Sequence, residues 1–196
     1  EKQKKSQRRM IMINSFRLLK DRKSKKGFSL LELLLVLGAI AALIVAAFMI
    51  FPKVQASQRI DRESRNLTAI QAGVKSLYGG RAKISSINTD SFIASKNAPE
   101  NMIQDGKLIN EWKGNVQVEY SGNHGKYNII YDAVPASDCS KLIAAVSGNF
   151  VSIDVYNGNG GTQVKNLEEG KNIDIAATSA ACFSEDNATI IFASII

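Results

Sequence analysis

The 196-residue sequence is poor in the side chains that most enzymes and metal sites use. It contains a single histidine, His124, and only two cysteines, Cys139 and Cys182. A zinc site needs several such ligands, and general acid–base catalysis uses histidine more often than any other residue. No pairing of a nucleophile with a base is visible either. We therefore expect no enzymatic activity, no metal and no cofactor for this chain.

Positive charge is also missing from most of the chain, although the formal net charge is +7. Residues 1–27 contain eleven Lys or Arg and two acidic residues, whereas the remaining residues sum to a net charge of −2. Nucleic-acid binding would need the positive charge on the folded surface, so we expect none. With 45% hydrophobic and 22% charged residues, the composition also excludes a collagen, a disordered chain and a polytopic membrane protein.

Charge is absent altogether from Leu33 to Phe51, where every residue is apolar or glycine. A helix over residues 28–52 would be roughly 36 Å long, which is enough to cross the apolar core of a bilayer. The heavier positive charge precedes this segment, so we expect residues 1–27 in the cytoplasm and the rest of the chain outside. The sequence therefore predicts a single membrane pass, N-in and C-out.

Two ordinary interpretations of this segment remain open. A secretory signal peptide has an apolar core of about 7–15 residues before its cleavage site, and this apolar run is longer. An uncleaved membrane anchor fits the length and the charge, but it gives no role to Glu32, which lies near the start of the apolar segment. An ionised carboxylate costs about 2.5–3.5 kcal/mol at the centre of a membrane-spanning helix, so an acid inside one indicates a function.

The sequence KKGFSLLE at residues 25–32 resembles the processing site of type IV prepilins and related pseudopilins. In that family a prepilin peptidase cuts after the glycine, on the cytoplasmic side, and methylates the new N-terminal amine. The resemblance implies cleavage between Gly27 and Phe28, loss of residues 1–27 as a basic leader, and methylation of Phe28. Glu32 then becomes the fifth residue of the mature chain. We expect it to pair with the N-terminal amine of an adjacent subunit and to set the axial register between subunits.

Beyond the apolar segment, the pattern predicts an amphipathic continuation of the same helix over residues 53–80. Gly79 and Gly80 supply its end, while Gly38 and Pro52 are expected to kink or loosen it. Charged residues, Glu63 among them, fall mostly on its polar face. The expected apolar face contains Val54, Ile60, Leu67, Ile70, Val74 and Leu77.

Residues 81–196 are predicted to form a periplasmic or extracellular globular domain. The expected fold class is α+β: a long N-terminal helical spine with an antiparallel sheet packed on its soluble half, as the pilin resemblance implies. Residues 173–181 fit either a strand or a helix. The other expected elements are a loop with short helical pieces over 81–114, a hairpin of 116–120 and 127–131, a helix capped by Ser137 and Asp138, a strand at 150–156, a loop at 157–161 and a terminal strand within the sheet at 188–195.

Cys139 and Cys182 both fall in the exported part of the chain, where a disulfide is the default and two buried thiols are the alternative. Type IV pilins typically carry such a bond in the C-terminal region, so the resemblance implies a disulfide-bounded region 139–182. The long span between the cysteines and the long leader look more like the type IVb class of enteric bacteria. Phe28 departs from that class, in which most mature chains begin with another residue.

The resemblance implies a structural subunit that polymerises with copies of itself, through its apolar helix, into a type IVb pilus. Such fibres serve adhesion, aggregation, colonisation or conjugation. The expected locations are the inner membrane before assembly and the cell surface afterwards. Expected partners are the prepilin peptidase, the pilus assembly machinery, minor pilins, the membrane and a host-cell surface receptor. Two alternatives remain: a type II secretion pseudopilin or minor pilin, and a membrane-anchored periplasmic binding module that keeps its leader.

Overall fold

A computed structural model describes residues 29–80, 83–122, 125–158, 160–183 and 186–196. These residues divide into two compact units whose boundary lies between Met49 and Ile50. Helix α1 (Leu30–Tyr78) begins in the first unit, and the second contains its remainder together with all the strands. The predicted cleavage residues Gly27 and Phe28 lie outside the described residues, as does His124.

Helix α1 forms one uninterrupted element, and neither Gly38 nor Pro52 ends it. It stops at Tyr78, directly before the two glycines that predicted its end. Four apolar residues of its second half are buried: Ile60, Leu67, Ile70 and Val74. Val54, which the periodicity placed on the same face, is 46% exposed. Ile60 is the first residue of α1 that the rest of the chain buries. Val54 precedes it and therefore has no surface of the same chain to pack against.

Residues 83–114 contain more regular structure than the polar sequence predicted. The segment has helix α2 (Thr89–Ala94), 3₁₀ turns at Ile84–Ser86 and Glu100–Met102, and a small hairpin of strands β1 (Ile103–Gln104) and β2 (Lys107–Ile109). Asn88 caps α2 by accepting a hydrogen bond from the backbone N–H of Ser91. The segment lies close against α1: a side chain at Gly73 would come within 2.5 Å of the carbonyl oxygen of Asn97.

The larger strands are β3 (Asn115–Tyr120), β4 (Lys126–Pro135), β5 (Ser152–Asn157), β6 (Gly160–Asn166) and β7 (Asn187–Ile195). The main sheet is antiparallel, and its seven described strands follow the order β1-β2-β3-β4-β7-β5-β6. The predicted hairpin is confirmed, with Val116 opposite Tyr131 and Tyr120 opposite Tyr127. The predicted terminal strand is also confirmed as β7 and lies inside the sheet, paired with β4 on one side and β5 on the other.

Two further helices follow β4 and β6. Helix α3 (Ala136–Val146) begins directly after Pro135, and the expected cap by Ser137 or Asp138 is wrong because no side chain caps this helix. The ambiguous segment 173–181 forms helix α4 (Ile175–Cys182), which Asp174 caps through the backbone N–H of Ala177. The expected loop at 157–161 is also partly wrong, because Gly160 and Gly161 begin β6 and pair with β5.

One face of the sheet packs on the second half of α1. The side chain of Gln71 donates a hydrogen bond to the hydroxyl of Ser194 in β7, at 3.2 Å. In the same strand, the ring of Phe192 lies edge-on to the ring of Tyr131, with the two centroids 5.9 Å apart. The centroid of the Phe192 ring is 4.9 Å from that of Phe150. The α+β class with a long N-terminal helix and an antiparallel sheet is therefore confirmed.

Candidate functional site

The apolar segment of α1, residues 30–51, has no side chain buried by the rest of the described chain. Large apolar residues are exposed on every side of the helix, and Leu30 and Phe48 are 76% and 75% exposed. It belongs to the one described helix that is long and apolar enough to cross a membrane. Soluble monomers rarely expose an apolar surface of this extent, so the segment requires lipid or other protein around it.

Glu32 lies in the first turn of α1 and is exposed like its apolar neighbours. Three ion pairs are present among the described residues, and Glu32 belongs to none of them. The next cation along the helix is Lys53, about six turns later, which is far beyond the reach of a side chain. A carboxylate in an apolar environment needs a neutralising partner. The described residues provide no cation within reach of Glu32.

A second carboxylate on α1, Glu63, is completely buried, so the expectation that placed it on the polar face is wrong. Its Oε1 accepts a hydrogen bond from the backbone N–H of Glu111 at 2.6 Å. Its Oε2 accepts one from the hydroxyl of Tyr131 at 3.0 Å and one from the amide of Asn66 at 3.4 Å. Glu63 thus joins α1 to β4 and to the chain segment after β2.

Burial governs the ionisation of this group. Desolvation raises the pKa of Glu63 above its ordinary value, although the hydrogen bonds from Glu111, Tyr131 and Asn66 oppose the shift. Burial, together with the adjacent Glu63 carboxylate, raises the pKa of Tyr131 well above 10, so its hydroxyl stays protonated and donates. The carboxylate of Glu63 therefore serves as a hydrogen-bond acceptor for donors of its own chain.

Two further contacts join α1 to the chain segment 100–111. Asn101 donates from its amide to the amide oxygen of Asn66 at 3.0 Å. On the outside, the guanidinium of Arg62 pairs with the carboxylate of Glu111 at 3.0 Å. The segment 100–111 is thereby fastened to α1 by both side-chain and main-chain groups, which gives the second half of the helix a fixed position on the sheet.

Cys139 in α3 and Cys182 in α4 form the expected disulfide, with their Cα atoms 5.7 Å apart. Both cysteines are buried, so the bond lies inside the fold. It joins two helices that are separated by the β5–β6 hairpin in the sequence. Closing a span of this length stabilises a domain by about 4 kcal/mol in the chain-entropy treatment, comparable to the net stability of a small domain.

Other candidate groups have structural partners. Within the described residues no three His, Cys, Asp or Glu side chains lie together as a metal site. Glu168 pairs with Lys126, and Asp174 is the cap of α4. Trp112 donates its indole N–H to the carboxylate of Asp138 at 3.0 Å, which ties the segment after β2 to α3.

Comparisons with known proteins agree on one family. A family model described as PilS N terminal matches residues 57–195. The fold is similar to TcpA, a type IV pilin from Vibrio cholerae El Tor biotype, at 12% identity with a TM-score of 0.53, over 70% of this chain and 99% of that one. It is also similar to a type IVb pilin from Salmonella typhi, at 20% identity with a TM-score of 0.50, over 67% of this chain and 97% of that one. No curated protein sequence matches the chain.

Proposed function

Because the chain belongs to the PilS family of type IV pilins, we propose that it is the structural subunit of a type IVb pilus. Pilins are structural proteins that self-assemble, so the work of the molecule is polymerisation and not turnover of a substrate. We assign the fibre to the contacts that a cell makes with surfaces or other cells, namely adhesion, aggregation or conjugation.

The observation that carries this proposal is the exposed apolar segment of α1 with Glu32 in its first turn. In the membrane, lipid covers this surface. During assembly, the helix exchanges lipid contacts for contacts with the same helix of other copies, where packing and interhelical polar contacts favour association. Because such contacts join different surfaces of successive subunits, they generate an open helical array instead of a closed oligomer.

We propose that the basic residues 1–27 hold the N-terminus in the cytoplasm until a prepilin peptidase cuts between Gly27 and Phe28. The new amine of Phe28 is positively charged, and Glu32 of a neighbouring copy supplies its counter-charge. This pairing neutralises two groups that neither lipid nor a helix bundle would tolerate singly. It also gives each subunit one axial position, because the charges meet in only one register.

The buried disulfide favours a pilus subunit over a type II secretion pseudopilin, because pseudopilins commonly lack a bond in this region. A fibre subunit must keep its fold outside the cell, and a covalent link between α3 and α4 serves that purpose. An anchored binding module would need neither the cleavage nor the register contact.

Two measurements on cells that express the chain test the proposal. Electron microscopy should show surface filaments labelled by an antibody against the chain, and a deletion of the pilus assembly machinery should remove them. Peptide mass spectrometry of sheared filaments should give a methylated N-terminal peptide that begins at Phe28. Assembled protein that retains residues 1–27, or an absence of labelled filaments in cells with the intact machinery, would contradict the proposal.

A further inference from the structure

Tyr156, the largest exposed side chain of β5, lies flat across the neighbouring strand. It is paired with Gly161 of β6 on one side and with Thr189 of β7 on the other. A Cβ at Gly161 would lie 2.5, 2.8 and 3.0 Å from three carbons of the Tyr156 ring. The ring therefore covers the glycine directly, which only a residue without a side chain permits. Tyr156 is still 44% exposed, so its other face is open to solvent.

The groups around this ring, on the face of the sheet that points away from α1, are mostly polar, and Ile191, opposite Asp154 in β7, is an apolar one. The hydroxyl of Thr189 donates to the carboxylate of Asp132 at 3.0 Å. Two residues before Tyr156 in β5, Asp154 lies opposite Gln163 of β6, and the two side chains are hydrogen-bonded. The opposite face of the same strands carries the buried core residues Val155 and Ile190. An exposed aromatic ring is thus bordered by a hydroxyl, a carboxylate and an amide, and a second carboxylate, that of Asp132, lies one strand further away, beyond Thr189.

We propose that this open face binds a neutral saccharide, with the ring of Tyr156 against the apolar face of one pyranose. A pyranose presents C–H bonds on one face and hydroxyl groups around its edge, which matches a flat aromatic ring with a polar border. Sugar hydroxyls both donate and accept, and the bordering groups supply both functions: carboxylate oxygens accept, and the amide of Gln163 donates as well.

The net charge of the groups around Tyr156 favours neutral saccharides over anionic ones. Asp132 and Asp154 contribute two negative charges, and Lys171, whose ammonium group donates to the carbonyl oxygen of Gln163 at 2.7 Å, contributes one positive charge. The remaining negative charge disfavours anionic sugars such as sialic acid. The inference rests on the proposed function in one respect: a fibre displays many copies of the face, so that weak individual binding becomes strong attachment.

Contact with a second copy of the chain is the competing use of this face. The centre of a protein interface is depleted of charged residues, whereas here the carboxylate of Asp154 lies two residues before Tyr156 in β5 and that of Asp132 lies beyond Thr189. The polar border therefore favours a hydroxylated ligand over a protein surface, and the experiment below distinguishes the two.

Purified filaments, sheared from cells, would be applied to immobilised oligosaccharides ending in glucose, galactose, mannose or N-acetylglucosamine, and to sialylated forms of the galactose series. We expect binding to at least one neutral probe and weaker binding to the sialylated forms. Tyr156→Ala should lower binding about tenfold or more, because it removes the stacking surface, while Tyr156→Phe should retain most of it.

A glycine pair tests the geometry without removing the ring. Gly161→Ala should lower binding, because the new methyl group occupies the position of the ring and displaces it. Gly148→Ala, at a glycine whose added Cβ meets nothing within 4 Å, should leave binding unchanged. Equal binding by Gly161→Ala and the parent would overturn the assignment of the ring.

The other outcomes also decide the proposal. Filaments that bind none of the neutral probes, or Tyr156→Ala filaments that bind like the parent, would overturn it. If Tyr156→Ala is stable in the membrane but forms no filaments, the face is a contact between copies and the proposal is wrong. If the parent itself forms no filaments, the proposed function fails, and the same probes applied to the detergent-solubilised full chain still decide the site.

Discussion

Two glutamates on the same helix have opposite surroundings. Glu32 lies in the exposed apolar segment and belongs to no ion pair among the described residues. Glu63 is completely buried and accepts three hydrogen bonds from its own chain. The second carboxylate is therefore satisfied within its own chain, whereas the proposed function gives the first a partner in a neighbouring copy. Under that proposal, the first part of α1 serves assembly and the second part serves the fold.

The same contrast holds for the apolar residues of the two parts. Residues 33–51 are apolar around the whole helix, so one small domain packed on one face would leave the other faces exposed. In the second part the buried residues lie on one face, against the sheet. Substitutions in the first part should therefore change assembly and leave folding intact, whereas substitutions in the second part should lower the stability of the fold itself.

The largest expected effect is on assembly by Glu32→Leu. Membrane insertion and cleavage after Gly27 should survive, because the substitution makes the helix more apolar. Filaments should be lost, because the neighbouring amine loses its counter-charge. The measurement compares subunit in the membrane by immunoblot with subunit sheared from the surface. Glu32→Gln, which keeps the shape without the charge, should be intermediate or equally defective. Normal surface filaments in Glu32→Leu would remove the register role of this residue.

Loss of the disulfide should have the largest effect on the stability of the globular part. Cys182→Ser should lower the free energy of unfolding by about 4 kcal/mol, because the unfolded chain regains the entropy of an open loop. The subunit level and its protease resistance should fall with it. The double variant Cys139→Ser with Cys182→Ser controls for effects of the free thiol. Equal resistance of parent and double variant under oxidising conditions would show that the bond does not stabilise the fold.

The substitution Glu63→Leu is the counterpart of Glu32→Leu. It leaves the Tyr131 hydroxyl and the Glu111 N–H without their acceptor, which should lower the free energy of unfolding by about 3 kcal/mol. The exposed pair beside it provides a control, because Arg62→Ala should cost about 1 kcal/mol or less. Urea unfolding of the detergent-solubilised chain measures both. A Glu63→Leu chain that unfolds like the parent would contradict the assigned role of the buried network.

The smallest expected effect is a pH dependence that comes from Glu63. Because burial raises the pKa of Glu63 in the folded state, the folded chain holds a proton that the unfolded chain releases near its ordinary pKa of 4.5. Stability from this group is thus present at acid pH and declines as pH rises from about 4.5 through the folded-state value. Burial also raises the pKa of Asp154, which acts in the same direction.

The variant Glu63→Gln isolates this contribution, because it has no titrating group at the site. The difference in urea midpoint between Glu63→Gln and the parent should move in favour of the variant as the pH is raised from 4 to 7. Asp154 is present in both chains and cancels from the comparison. A difference that stays constant over this range would show that Glu63 keeps its ordinary pKa in the fold.

Sequence patterns correctly predicted the elements that depend on residues close to them along the chain. The end of α1 follows from Gly79 and Gly80, and the β3–β4 hairpin follows from alternation on both sides of a glycine-containing turn. The pattern failed at β6, where Gly160 and Gly161 indicated a loop. The missing signal was Tyr156, which covers Gly161 from the adjacent strand and supplies the side-chain packing that the glycine lacks.

The burial of Glu63 shows the same limit at the site. Its donors Glu111 and Tyr131 lie 48 and 68 residues away in the sequence. The charge of Glu63 favoured the polar face, although its spacing from Ile60 and Leu67, three and four residues, places it on the apolar face. The local signal was thus an acid within the apolar face, and the sequence did not reveal the distant donors that make its burial possible.

The sequence by itself determined which part of α1 is apolar on all sides, where Glu32 interrupts that surface, and which two cysteines are available to pair. These properties depend on residue type and on spacing along one chain. Only the tertiary structure decided that Glu63 is an internal acceptor and that β7 lies between β4 and β5. Those outcomes depend on contacts between residues far apart in sequence, which form only when the sheet packs on the helix.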